Sequence, residues 1–169
     1  MDTIRIRASS IGELFDCPAR WEAKHLLKLR LPMSGAAALG KAIHAGTGAF
    51  DSARVLGSPI TADDTAAATV DSLHQPTEDE DWGDDSIDKA EKVALALHTR
   101  YCRDMAPTQH YVGVEAACDA LTISDLGITL TGTIDRVYQD DTGALGIADL
   151  KTGKAAVAAD GTVKTQGHG

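Results

Sequence analysis

Apolar residues recur at helical spacing through the first two thirds of the chain and alternate through much of the last third, so the pattern predicts helices followed by strands. Ser10 with Glu13 has the form of a capping box, and Ile11, Leu14 and Phe15 open an apolar stripe. A helix is therefore expected from about Ser10 to Leu29, closed by Pro32. The next helix, about Gly35 to Leu56, is rich in Ala and Gly and sets Gly40, His44 and Gly48 on one side, where small residues admit another backbone or a ligand. A weaker helical stretch covers Ala62 to Leu73. Ser86 to Met105 reads as a helix with Ile87, Ala90, Val93, Ala94, Leu97 and Tyr101 inward, ended by Pro107.

From Tyr111 the period becomes two. Three strands are expected, Tyr111 to Leu121, Ile128 to Gln139 and Leu145 to Lys151, joined by turns at SDLG and DDTG. Helices followed by an antiparallel three-stranded meander make the chain α/β in the α+β sense. Residues 152–169 are small and polar without a usable period and read as a tail; one domain over residues 1–169 is the expectation.

Composition narrows the setting. With 169 residues, 43% of them hydrophobic, the chain can bury a core. No apolar run approaches the roughly 18 residues of a membrane span, and the N-terminus lacks a signal-peptide pattern, so a cytoplasmic protein without membrane contact is expected. Cys17, Cys102 and Cys118 are odd in number, widely spaced and outside any CxxC pair, and so read as buried thiols. The net charge of −9 weighs against a polyanionic partner. The acid, however, is concentrated between Asp63 and Glu91, above all in a loop at 76–86, while the first thirty residues are net basic. On the first helix Arg20, Lys24 and Lys28 fall four apart and suit contact with a phosphate backbone; a solvated helix face is the plainer reading of the same residues.

Alternation puts Thr131, Thr133, Asp135 and Val137 on one face of the second predicted strand, and Leu145, Ile147, Asp149 and Lys151 on one face of the third. A hairpin folded about Thr142 sets Asp135 opposite Asp149, with Cβ atoms roughly 4.5–5.5 Å apart. Carboxylates that close need a proton or a cation between them, and a divalent metal with oxygen ligands is the economical answer, the Leu150 carbonyl being a further donor. Lys151 can hold or help deprotonate the attacking water and steady negative charge on phosphorus. The alternative is a surface cluster in which Asp135 pairs with Arg136 or Lys151.

SSIGELFDCPARW, GKAIH, VEAACDALTI, GTIDRV and ADLKTGK stand in the order of the motifs of RecB-like nucleases, and the chain resembles that branch of the PD-(D/E)xK superfamily across nearly its whole length. The resemblance implies a restriction-endonuclease-like core with His44, Asp135 and Asp149 as metal ligands, Lys151 as the catalytic lysine and Glu115 on the first strand. It also implies Mg²⁺ or Mn²⁺ as cofactor and DNA as partner. The activity implied is DNA hydrolysis, expected to be exonucleolytic, in recombination or repair, with a recombination protein or a second copy as further partners. The family's Gln-xxx-Tyr helix and following strand are expected to be missing. Cys17 matches the first cysteine of relatives that hold an iron–sulfur cluster but the other three have no counterpart, so no cluster is expected. A nuclease fold that binds DNA or a protein without turnover is the alternative reading.

Overall fold

Pro18 decides the first departure from the predicted pattern. Proline has no N–H to donate and disfavours helical backbone at the residue before it, and Cys17 accordingly takes extended angles, φ −152° and ψ 93°. The single helix expected over Ser10 to Leu29 is therefore two. The computed structural model describes residues 3–76 and 79–152. In chain order its elements are β1 (Ile4–Arg7), α1 (Ile11–Asp16), α2 (Pro18–His25), β2 (Met33–Ser34), α3 (Gly35–Val55), α4 (Ala62–His74), β3 (Glu80–Asp81), α5 (Ile87–Arg100), β4 (Tyr111–Ala117), β5 (Leu121–Ile123), β6 (Ile128–Thr131), β7 (Thr133–Gln139) and β8 (Leu145–Ala148). The mixed α/β class is as expected. Among the described residues no helix is long and apolar enough to cross a membrane. The chain divides into two compact units, residues 3–31 with 116–134 and residues 32–115 with 135–152, the division falling inside β4 and β7.

In the first unit β6 lies between β1, to which it is parallel, and β5, to which it is antiparallel. Thr129, on the central strand, bonds Thr3 at 2.7 Å and Thr122 at 3.2 Å through its hydroxyl. Ser10 is not a side-chain cap: its hydroxyl donates to the Arg7 carbonyl and accepts from the buried Trp21 indole at 3.0 Å. Glu13, freed from the capping box, instead receives Lys24 and His25, each at 3.1 Å, with Arg20 at 3.7 Å.

In the second unit α3, α4 and α5 pack around Ala42, Ile43, Leu73 and Ala94. A neighbouring cluster joins Phe50, Tyr101, Cys102 and Ala106. The buried line of α5 runs through Ala90, Ala94 and His98, continuing to Tyr101 and Cys102 on a π-helical turn, Tyr101–Met105. Val93 and Leu97, expected inward, are exposed; His98 replaces them because Thr65 and the Ala62 carbonyl satisfy its ring at 3.1 and 3.0 Å. The acidic stretch is not wholly solvated: β3 pairs in parallel with β2, and the Trp82 ring packs on Gly35, where a Cβ would stand 2.5 Å from it.

The expected meander is also corrected. β4, β7 and β8 form one sheet in that order, but the second predicted strand breaks at Gly132 into β6 and β7, which belong to different sheets. Of the cysteines only Cys102 is buried; Cys17 is half-buried and Cys118 exposed, and all three are free. The predicted tail falls outside the described residues apart from Thr152.

Candidate metal centre

The candidate residues that gather lie in the second unit. Between β7 and β8 the register pairs Arg136 with Ala148 and Gln139 with Leu145. Carried on by one residue, that register sets Asp135 across from Asp149, the facing expected from a hairpin centred on Thr142. The turn is fixed by Asp140, whose carboxylate accepts from the Thr142 and Ala144 N–H groups at 2.8 and 2.9 Å, and Gly143 supplies the left-handed step at φ 86°. Asp135 Oδ2 then accepts from the Leu150 N–H at 3.2 Å.

His44 reaches these residues from α3. Its Nε2 is 2.6 Å from the Leu150 carbonyl and its Nδ1 3.5 Å from Asp135 Oδ2. A carbonyl only accepts, so Nε2 carries a proton and donates it to Leu150, leaving Nδ1 facing the Asp135 carboxylate. A proton on Nδ1 or a bound cation between Nδ1 and the carboxylate would satisfy this facing pair. An imidazole whose second nitrogen donates to a backbone carbonyl is also the usual state of a metal-ligating histidine. The Leu150 carbonyl, expected as a ligand, is here the partner that orients the imidazole. The side of α3 carrying Gly40, His44 and Gly48 does face close neighbours: a Cβ at Gly40 would meet Thr152 Oγ1 at 3.0 Å, and one at Gly48 would meet an Arg136 nitrogen at 3.9 Å.

Glu115 completes the cluster. One ligand atom each from His44, Glu115 and Asp135 lie within 4.8 Å of one another. Glu115 sits in β4 with φ 48°, in the left-handed region that costs a residue with a Cβ about 1–3 kcal/mol and is seen mainly where function holds it. Asp149 adjoins the cluster rather than closing it. Its partial burial pushes its carboxyl up, but hydrogen bonding with Lys151 and Asp135 and the charges of Lys151 and His44 outweigh that and hold it below the usual carboxylate range. Lys151, on the exposed end of the same segment, places its ammonium 2.6 Å from Asp149. The cluster's one imidazole and two carboxylates, with a third carboxylate beside them, are a nitrogen and oxygen donor set that suits a divalent metal.

The surface ion-pair alternative for Asp135 is not what forms. Arg136 is 1% exposed and turns to α3 rather than to the Asp135 carboxylate. Its Nε donates to Asp51 at 2.6 Å, one terminal nitrogen donates to the Asp135 carbonyl at 2.8 Å, and the other reaches Thr47 at 3.3 Å. Tyr101 donates its hydroxyl to the same Asp51 oxygen at 2.6 Å, and burial followed by this contact raises the phenol's pKa far above its ordinary value. Sequence reasoning missed this network; its one visible trace is a carboxylate, Asp51, two turns beyond His44 in an Ala- and Gly-rich helix.

The basic trio of the N-terminal region does not share a helix face. α2 ends at His25, and Lys28 stands beyond it with φ 61°, donating to the His25 carbonyl. Arg20 pairs with Asp16 as well as Glu13, and Lys24 with Glu13.

A family model described as the PD-(D/E)XK nuclease superfamily matches residues 5–167. No curated protein matches the chain. The mixed α/β architecture fits the restriction-endonuclease-like fold of that superfamily, whose nucleases use divalent metals and act on DNA. The family match begins in β1 and runs past the end of β8, through every residue of the cluster, and the chain therefore belongs to the PD-(D/E)XK nuclease superfamily.

Proposed function

We propose that the chain is a divalent-metal-dependent DNA nuclease of the RecB-like branch, cytoplasmic and exonucleolytic, serving recombination or repair. The observation that carries the metal reading is the imidazole held by the Leu150 carbonyl with its Nδ1 turned to Asp135, beside Glu115. His44, Asp135 and Glu115 would hold Mg²⁺ or Mn²⁺, with Asp149 beside them. A bound divalent cation supplies Lewis-acid polarisation of a phosphoryl oxygen.

The chain's own contribution is positional and electrostatic. Lys151 is exposed and held toward the site by Asp149, so its ammonium can meet the negative charge that grows on the phosphoryl group and hold the attacking water. A phosphate contact by Arg20 or Lys24 requires the phosphate to displace Glu13 and Asp16; Lys28 would act from outside the helix.

End-labelled linear DNA with Mg²⁺ or Mn²⁺ tests the reading. Lys151→Ala should lose degradation by two or more orders of magnitude while still binding Mn²⁺, and Asp135→Asn should lose both. Degradation that survives Lys151→Ala would remove the site assignment, and Mn²⁺ binding without turnover in the unsubstituted chain would leave a DNA- or protein-binding module instead. Release of mononucleotides from ends, against internal cuts in closed circles, decides exonuclease action.

A further inference from the structure

Arg136 and Asp51 are the most deeply buried charges among the described residues, at 1% and 0% exposure, and neither belongs to the metal cluster. A buried ion pair is a poor device for stability, because desolvating both ions offsets most of their attraction. Its position here shows a different use. His44, Thr47 and Asp51 follow at three and four residues along α3 and share one face of the helix. Arg136 binds the last two of them, and through the same planar fork it donates to the main-chain carbonyl of Asp135. The nitrogen that makes the Asp135 contact also lies 3.7 Å from Glu115 Oε1. One guanidinium thus touches α3 on either side of one turn, β7 at the residue that carries the Asp135 carboxylate, and the Glu115 side chain in β4. The clamp is itself held: Tyr101 donates to the Asp51 oxygen that Arg136 uses, and the Tyr111 ring lies 6.0 Å under the guanidinium.

We propose that Arg136 is a positioning residue, clamped by Asp51, that sets the distance of His44 and Glu115 from Asp135 and so makes the cluster competent to bind a cation. The inference rests on the metal reading above. The fork geometry is essential to it: lysine keeps the charge but presents a single nitrogen, and cannot reach Asp51, Thr47 and the Asp135 carbonyl together.

Mn²⁺ titration followed by calorimetry and by the electron-spin resonance of the free ion tests this without any turnover. Arg136→Lys should weaken Mn²⁺ binding by about tenfold or more, the size expected when a ligand's supporting partner is lost. In a His44→Ala background the same substitution should cost much less, because the distance it controls no longer matters. Equal losses in both backgrounds would reduce Arg136 to a structural ion pair, as would Mn²⁺ binding unchanged by Arg136→Lys in a protein that binds the ion. Failure of the unsubstituted chain to bind Mn²⁺ at all would remove the metal reading and this inference together. If Arg136→Lys does not fold, Thr47→Val removes one donation of the fork at little change in volume and should give a smaller loss, about threefold, with the same dependence on His44; no loss would overturn the proposal.

Discussion

Glu115 is held in a left-handed backbone conformation that a glycine would adopt without steric cost, and its side chain is exposed, so little packing is at stake. Glu115→Gly should therefore raise stability in the absence of metal by about 1 kcal/mol, relief of strain of roughly 1–3 kcal/mol being partly offset by glycine's greater unfolded-state freedom. The same substitution should weaken Mn²⁺ binding. Urea unfolding in chelator and Mn²⁺ titration check the two halves, and a loss of stability would show that the conformation is not strained. At this scale the site was partly legible in advance. Alternation and even spacing about Thr142, local properties of a hairpin, set Asp135 and Asp149 facing and put Lys151 on the face of Asp149, while their roles at a site came from the family resemblance. The family resemblance singled out His44, and the structure shows the imidazole reaching the carboxylates. The left-handed turn at Glu115 has no counterpart in a period-two pattern. The Arg136 and Asp51 clamp was invisible because charges 85 residues apart in sequence are buried only through tertiary pairing.

Within α3 Gly46 and Gly48, only two residues apart, are not equivalent. A Cβ at Gly46 would overlap Thr69 Oγ1 and stand 3.0 Å from the His98 ring, whereas at Gly48 nothing comes nearer than 3.9 Å. Overpacking a fixed core costs about 1–3 kcal/mol, and alanine in place of glycine gains up to about 1 kcal/mol of helix propensity. Gly46→Ala should thus destabilise the second unit and Gly48→Ala should be neutral or stabilising. Adding Thr69→Ala should recover most of the Gly46→Ala loss, since it removes the overlapped hydroxyl, which also has no hydrogen-bond partner among the described residues. Thermal unfolding of the three variants checks this, and a Gly46→Ala protein as stable as wild type would mean that α3 and α4 do not approach so closely. Helices set by their own period, α3 and α4, were read to within about a residue. Elements set by partners elsewhere were not. β1 is a four-residue IRIR segment that becomes a strand by pairing with β6, over a hundred residues away. The predicted strand of residues 128–139 is shared between two sheets because Gly132 interrupts it.

For the molecule as a whole, 25 acidic residues against 16 basic ones mean that gathering Glu115, Asp135 and Asp149 adds local repulsion to an already negative chain. A cation that binds the folded state alone stabilises it by mass action, about 2.7 kcal/mol at a hundred times its dissociation constant. For a chain of this length that corresponds to a rise of roughly 5–10 °C in melting temperature. Asp135→Asn keeps an oxygen for the Leu150 N–H but removes one of the opposed charges. Its melting temperature without metal should be at or above that of the unsubstituted chain, and the rise with Mn²⁺ should vanish. General screening of a −9 chain would instead stabilise both proteins alike and would be reproduced by potassium chloride at equal ionic strength. The decisive comparison is therefore the two proteins with Mn²⁺ and with matched potassium chloride. A shift with Mn²⁺ that survives Asp135→Asn would locate the bound cation away from the α3, β4 and β7 cluster.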